Sequence, residues 1–293
     1  MDNVLVLIAS PHYPGLAPDI ITKAQSLLPD AGSSRNLSSH ATEIAFSGNQ
    51  SGLEDALRDS LAGAQIDFAI VPATNRVKKI LIADMDSTMI GQECIDELGK
   101  RAGLGEKIAA ITTRAMRGEL DFEGAVRERV GLMAGLAETE IQSVIDHDLT
   151  YTPGGRTLVQ TMRANGAFTS LVSGGFTQFT AHVAGVCGFH ENRANELIIE
   201  NAALTGKVGE PILGQQAKVE ALQEYCARLG ADPADVIAVG DGANDLGMLS
   251  VAGMGVALHA KPAVREAAQI RIDHSGLDAL LYLQGYSKDQ FIS

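Results

Sequence analysis

Two aspartates, Asp84 and Asp86, stand two residues apart directly after the apolar run Ile80-Leu-Ile-Ala. Such a run reads as a buried strand, and ligands of open α/β sheets bind just past the C-terminal ends of strands. A second apolar run, 169–172, leads into Ser173-Gly-Gly-Phe176, which offers a hydroxyl and glycine N–H groups suited to a phosphoryl group. A third, 236–239, delivers Gly240-Asp241-Gly-Ala-Asn244-Asp245. Asp84 and Asp241 supply hard carboxylate oxygens of the kind magnesium prefers. Between the second and third runs lies Lys218, near the start of a helix read over 217–229. An anion bound beside an acidic metal site needs a fixed cation, and Lys218 stands in the chain where one could be supplied. Taken singly, each piece has an ordinary reading: a turn with two solvated carboxylates, a strand-to-helix turn, a polar or calcium-type loop, a surface lysine.

The elements that must carry these residues are readable from periodicity. From residue 79 onward, strands at 79–83, 169–172, 236–239 and 254–257 alternate with helical stretches, which indicates a parallel sheet with helices on both faces. Residues 94–149, between the first two strands, are rich in helix formers and too long for a crossover, so they read as an inserted helical cap. Residues 196–200 and 204–208 read as a hairpin outside the parallel alternation. Ahead of all this, runs at 4–9, 17–28, 35–38, 43–46, 53–61 and 66–71 give the order βαββαβ. The stretch 72–76, followed by Lys78 and Lys79, reads as a linker.

The chain has 293 residues and a formal net charge of −13, with no run of Lys or Arg. It therefore has no general attraction for nucleic acid or anionic lipid, and an anionic substrate must be caught by a metal or a few placed cations. Three cysteines, Cys94, Cys187 and Cys226, form no close pair, which argues against disulfides and zinc and suits a reducing compartment. The first residues have an acidic flank and a short apolar run, suited to a strand rather than a signal peptide, and no stretch is apolar enough to span a bilayer. A cytoplasmic location is the expectation. The seven histidines show no metal spacing and read as structural or surface residues.

In this order, DxDxT, a strand-end Ser, a Lys and GDxxND resemble the four signature motifs of the haloacid dehalogenase (HAD) superfamily, over residues 79–245. The resemblance implies a Rossmann-like α/β core and a Mg2+-dependent phosphatase working through an aspartyl-phosphate. It makes Asp84 the nucleophile, Asp86 the general acid and base, and Ser173 and Lys218 the phosphate ligands. The metal would be held by Asp84, the Asp86 backbone carbonyl and Asp241, with Asp245 supporting.

The phrases DSTMIGQECIDELG and FEGAVRERV resemble the phosphoserine phosphatases of that superfamily. By that resemblance Glu93 takes a substrate ammonium, Arg129 its carboxylate, and Gly174 and Asn244 complete the pocket. Arg127 is the nearest competitor to Arg129, but helical geometry puts the two on different faces. Phe176 and Met133 are further candidates for the pocket lining, with core packing as the commoner role. The reaction implied is hydrolysis of phosphoserine, the last step of serine biosynthesis. Phosphothreonine, phosphohomoserine or another small phosphomonoester stays open, because one methyl group discriminates by only about 10 to 200-fold. Residues 1–76 resemble an ACT-like (ferredoxin-like) domain, which implies a regulatory or homodimer-forming part and leaves open a non-enzymatic amino acid sensor. The expected division is 1–76 and 77–293, with the cap at about 91–152 and its hinges near Gly91 and Gly155.

Overall fold

The computed structural model describes residues 1–293, the Met116 side chain excepted. The chain begins with β1 (Asn3–Ala9), α1 (Pro18–Leu27), β2 (Ser34–Asn36), β3 (Ala41–Phe46), α2 (Leu53–Ser60) and β4 (Ile66–Pro72). The strands form an antiparallel sheet in the order β2-β3-β1-β4, compatible with an ACT-like domain. Successive residues of a strand point to opposite faces, and both faces of β1 are covered. Leu5, Leu7 and Ala9 pack with the α1 and α2 side, while Val4, Val6 and Ile8 join a core shared with the rest of the chain.

β5 (Ile80–Ala83) opens the second sheet and leads into α3 (Cys94–Arg101), α4 (Gly105–Met116), α5 (Phe122–Gly131) and α6 (Thr139–His147). The core resumes with α7 (Gly155–Ala164), β6 (Phe168–Phe176), α8 (Thr177–Cys187) and β7 (Glu191–Asn195), and the hairpin β8 (Leu197–Glu200) and β9 (Ala203–Val208) follows. The chain ends with α9 (Gln215–Leu229), β10 (Val236–Gly240), α10 (Leu246–Val251), β11 (Met254–Leu258), α11 (Pro262–Ala267), β12 (Ile270–Ile272) and α12 (Ala279–Leu283). The sheet order is β12-β11-β10-β5-β6-β7, all parallel. Its two central strands, β5 and β10, are buried along their whole length, which explains their uninterrupted apolar runs.

The structure departs from the sequence reading in two places. Two edge strands, β7 and β12, lie where none is expected: β7 is the polar run ENRAN and β12 has only three residues, so neither carries a hydrophobic signal. β6 runs on past Val172 to Phe176, with a register shift against β7 between these two residues. At the end of the 72–76 stretch that reads as a linker, Arg76 pairs with Glu43 at 2.8 Å and donates to the carbonyls of Leu283 and Tyr282. Next to it, the buried Lys78 ammonium donates to the carbonyls of Asn75 and Ala234, each at 2.7 Å. Met133 takes the commoner of its two expected roles: it is buried in the cap core with Val126 and Val130 and lines no part of the cavity described below.

The neck of the cap is a two-strand crossing. Ile90 and Tyr151 form an antiparallel bridge, Gly91 N–H donates to the Thr150 carbonyl and Thr152 N–H to that of Met89. Gly154 follows at φ 80°, where a Cβ would lie 2.4 Å from the Asp278 nitrogen, so no other residue fits without displacement. Among the described residues no helix is long and apolar enough to cross a membrane.

Candidate active site

β5, β6 and β10 are neighbours with parallel register, so the residues that follow them emerge at one edge of the sheet. Asp84, Asp86, Ser173, Gly174, Asp241 and Asn244 line one cavity of about 210 Å³ there, together with Glu93 and Arg129 from the cap segment. Lys218 and Asp245 are fully enclosed beneath it. The Lys218 ammonium lies 2.7 Å from Asp84 Oδ1 and 2.6 Å from Asp245 Oδ1, while Asp245 Oδ2 accepts the Gly242 N–H at 3.0 Å. Gly240 makes this possible: a Cβ there would fall 2.3 Å from the Asp245 carboxyl carbon.

Carboxylate oxygens of Asp84, Asp241 and Asp245 lie within 4.8 Å of one another. Three carboxylates share one buried ammonium, with only the exposed Lys261 beside Asp241 as a second cation, and this excess of buried negative charge is unstable unless protons or a metal cation answer it. The protonation behaviour records that demand. Burial, then the charge of Asp245, raises Asp84 well above the usual carboxylate range against the pull of Lys218. Burial raises Asp241 to about 6, with Lys261 opposing and Asp245 adding to the rise. Burial alone would lower Lys218, but Asp84 and Asp245 outweigh it and push the ammonium up to about 12. A hard dication fits this set: Asp84 and Asp241 are open to the cavity, whereas both oxygens of Asp245 are already engaged.

Asp86 meets the cavity on the other side of the strand end. Its Oδ1 accepts the Cys94 N–H at 3.4 Å, and burial followed by the charge of Glu93 pushes its pKa up to about 7. A carboxyl group that titrates near neutrality can both give and take a proton. Burial and the neighbouring Asp86 raise the Cys94 thiol far out of the reactive range, so it is a packing group. Glu93 Oε1 accepts the Ser87 hydroxyl at 2.9 Å.

Arg129 donates Nε–H to the Ala125 carbonyl one turn back and, among the described residues, has no salt bridge. Burial lowers its pKa while Asp96, Glu93 and Asp86 hold it up, so this guanidinium is a cation short of a partner in the cavity wall. Arg127, on the exposed face of α5, is bound to Glu123 and Glu210. Phe176 also lines the cavity.

Sequence reasoning missed three contributors. Phe122 reaches from the cap over the glycines, since a Cβ on Gly174 or Gly214 would lie 3.0 or 3.1 Å from its ring. Its presence in the FEGAVRERV stretch was the only available signal. Lys261, after β11, sits 3.8 Å from Asp241, and Asn195 at the end of β7 bonds to the Gly174 carbonyl. Both come from segments without a motif. A larger cleft of about 300 Å³ between β4 and β12 is lined by Asp67, whose carboxylate is already taken by the N–H groups of Asp273, His274 and Ser275.

A parallel α/β sheet with a strand-end Asp-x-Asp, a buried lysine and a second acidic loop defines a class of protein built to handle an anionic phosphoryl-like group at the edge of its sheet. The chain belongs to the haloacid dehalogenase-like hydrolase family, which it matches over residues 81–250. It is 46% identical over 210 residues to a phosphoserine phosphatase of Albidiferax ferrireducens, covering 70% of this chain and 89% of that one. It is 39% identical over 253 residues to a phosphoserine phosphatase of Streptomyces coelicolor, covering 85% of this chain but only 62% of that longer protein. Among solved structures, a HAD family hydrolase of Salmonella enterica serovar Typhi superposes with a TM-score of 0.86 at 30% identity, covering 98% of both chains.

Proposed function

We propose that this protein hydrolyses O-phospho-L-serine to L-serine and phosphate through an aspartyl-phosphate on Asp84, with magnesium as its metal. The observation that carries the reading is the meeting of two sets of groups in one cavity: Asp84, Asp86 and Ser173 from the sheet edge, and Glu93 and Arg129 from the cap segment. A phosphomonoester needs only the first set. An amino acid carrying the phosphate also needs an anion for its ammonium and a guanidinium for its carboxylate.

The Asp84 carboxylate attacks phosphorus, the bond from phosphorus to the serine oxygen breaks, and the Asp86 carboxyl group gives its proton to the departing alkoxide. Asp86, now a carboxylate, takes a proton from the water that attacks phosphorus in the second step, which frees Asp84 and phosphate. Ser173, the Gly174 backbone and Lys218 hold phosphoryl oxygens, and Asn244 borders the same space. Magnesium, held by Asp84, Asp241 and the Asp86 backbone carbonyl, would neutralise charge on the nucleophile and phosphoryl group. Asp245 supports by holding Lys218 and the Gly242 turn.

The remaining assignments belong to the same reading. Residues 1–76 form the ACT-like unit, regulatory or homodimer-forming, and 77–293 the phosphatase unit with its cap at about 91–152. The reaction is the last of serine biosynthesis, in a cytoplasm that suits three free buried cysteines.

Phosphate release from phosphoserine with magnesium, set against phosphothreonine, phosphohomoserine and p-nitrophenyl phosphate, tests the proposal, with Asp84→Asn as control. The expected result is a clear preference for phosphoserine that the substitution abolishes. Preference for another monoester would overturn the substrate assignment, and release that survives in Asp84→Asn would overturn the mechanism.

A further inference from the structure

The Ser173-Gly-Gly segment sits where β6 loses register with β7: the ladder breaks after Val172 and resumes with Phe176 opposite Asn195. A carbonyl in such a break is short of a backbone donor. At Gly174 the donor is a side chain, since Asn195 Nδ2 donates to the Gly174 carbonyl at 2.8 Å. The same amide donates to the Leu213 carbonyl at 3.2 Å and accepts the Leu213 N–H through Oδ1 at 2.6 Å. Asn195 is 2% exposed, so these bonds are made away from water, and its orientation is set by them.

The Gly174 carbonyl belongs to the same peptide plane as the Gly175 N–H, which donates to Ser173 Oγ at 2.9 Å. Fixing one end of a planar amide fixes the other, and a donor at the carbonyl strengthens the N–H as a donor. With its oxygen accepting from Gly175, the Ser173 hydroxyl keeps its own proton for an outside acceptor. Gly175 is closely packed, since a Cβ there would lie 2.9 Å from Asp86 Oδ2 and 3.1 Å from Ser173 Oγ and would crowd both side chains. Leu213, the other partner of Asn195, precedes the Gly214 cap of α9, the helix that carries Lys218.

We propose that Asn195 is a positioning residue for phosphate: one buried amide holds the Gly174–Gly175 peptide that orients the Ser173 hydroxyl, and braces it against the start of the Lys218 helix. This rests on the reading of Ser173 and Lys218 as phosphate ligands. Asn195 touches no substrate; it acts through Ser173.

The experiment measures inhibition by inorganic phosphate, kcat for phosphoserine and Tm for wild type, Asn195→Ala, Ser173→Ala and the double variant. Asn195→Ala is expected to weaken phosphate inhibition and lower kcat by about tenfold each, the equivalent of one buried hydrogen bond. In the Ser173→Ala background the same substitution is expected to cost at least about threefold less than in wild type, since residues acting through one contact do not add. Asn195→Asp keeps the size and the acceptor for Leu213 but loses both donors, so it is expected to behave like Asn195→Ala and serves in its place if the alanine variant does not fold. Thr180→Val removes a comparable bond to Asn192 on β7, at 2.8 Å, and measures what loosening that strand does by itself. Costs of Asn195 and Ser173 substitution that simply multiply would overturn the proposal. So would wild-type phosphate affinity in Asn195→Asp, or an equal loss in Thr180→Val. Absence of phosphate release in wild type would instead overturn the reading of the site, so the two failures are distinguishable.

Discussion

Lys218→Met, studied in the presence of a chelator, isolates the charge balance beneath the cavity. The ammonium is 2% exposed and touches two carboxylates, at 2.7 Å and 2.6 Å. At an effective dielectric of about 20, each contact is worth roughly 6 kcal/mol of attraction before desolvation. Desolvation of the lysine opposes most of this, and breaking a buried pair by removing one partner costs about 3–5 kcal/mol net. For a chain of this size that is a fall in Tm of about 6–20 °C.

The loss also has a pH signature. Burial and Asp245 already hold Asp84 above its ordinary value, and Lys218 is the main group opposing them. A carboxyl whose folded pKa is raised gives its full contribution below its unfolded value, near pH 4, and loses it as pH rises toward the folded value. The deficit of Lys218→Met relative to wild type is therefore expected to be smallest near pH 4 and to grow toward neutrality. Thermal unfolding from pH 4 to 8 reads both quantities, and Asp245→Asn added to Lys218→Met is expected to recover part of the loss. A Tm change below about 2 °C, flat with pH, would refute the reasoning, because it would mean that Asp84 and Asp245 do not need the ammonium.

Arg129→Ala is expected to lower kcat/KM for phosphoserine by about 10 to 150-fold, the value of a charged hydrogen bond, and to leave p-nitrophenyl phosphate within about twofold. Arg127→Ala, whose partners are exposed, is expected to change neither; steady-state kinetics on both substrates decides. His190 is held below its ordinary pKa by burial and then by Arg163, so the folded state favours the neutral ring and loses stability as pH falls through about 6.5. His190→Gln is expected to remove that part of the acid slope in urea titrations between pH 7 and 5. Gly240→Ala places a methyl 2.3 Å from the Asp245 carboxyl carbon and is expected to cost at least about 2 kcal/mol in chemical denaturation and most of the activity. Wild-type stability in that variant would show that the loop has room to move.

The outline of the core was legible because its signals are local. The parallel strands β5, β10 and β11 are buried on both faces, and only unbroken apolar runs such as ILIA and VIAVG satisfy that environment. The acidic motifs follow those strands directly, so recognising the strands also located Asp84, Asp86, Asp241 and Asp245 along the chain. The βαββαβ order of the first 72 residues was legible by the same alternation.

What tertiary structure alone decided are the facts that depend on residues far apart in the chain. β7 and β12 are strands because neighbouring strands offer them ladders, not because their residues favour it. Arg76 is a brace because Glu43 and the carbonyls of Leu283 and Tyr282, all distant in the chain, meet it in space. Arg129 and Arg127 are two residues apart and chemically alike, and only packing leaves one facing the cavity without a salt bridge and gives the other to Glu123 and Glu210. The types of the reactive groups were written in the sequence, since a nucleophile or a metal ligand must be a particular side chain. Their charges, partners and freedom to react were not, because burial and electrostatic neighbours set these, and both are properties of the folded chain.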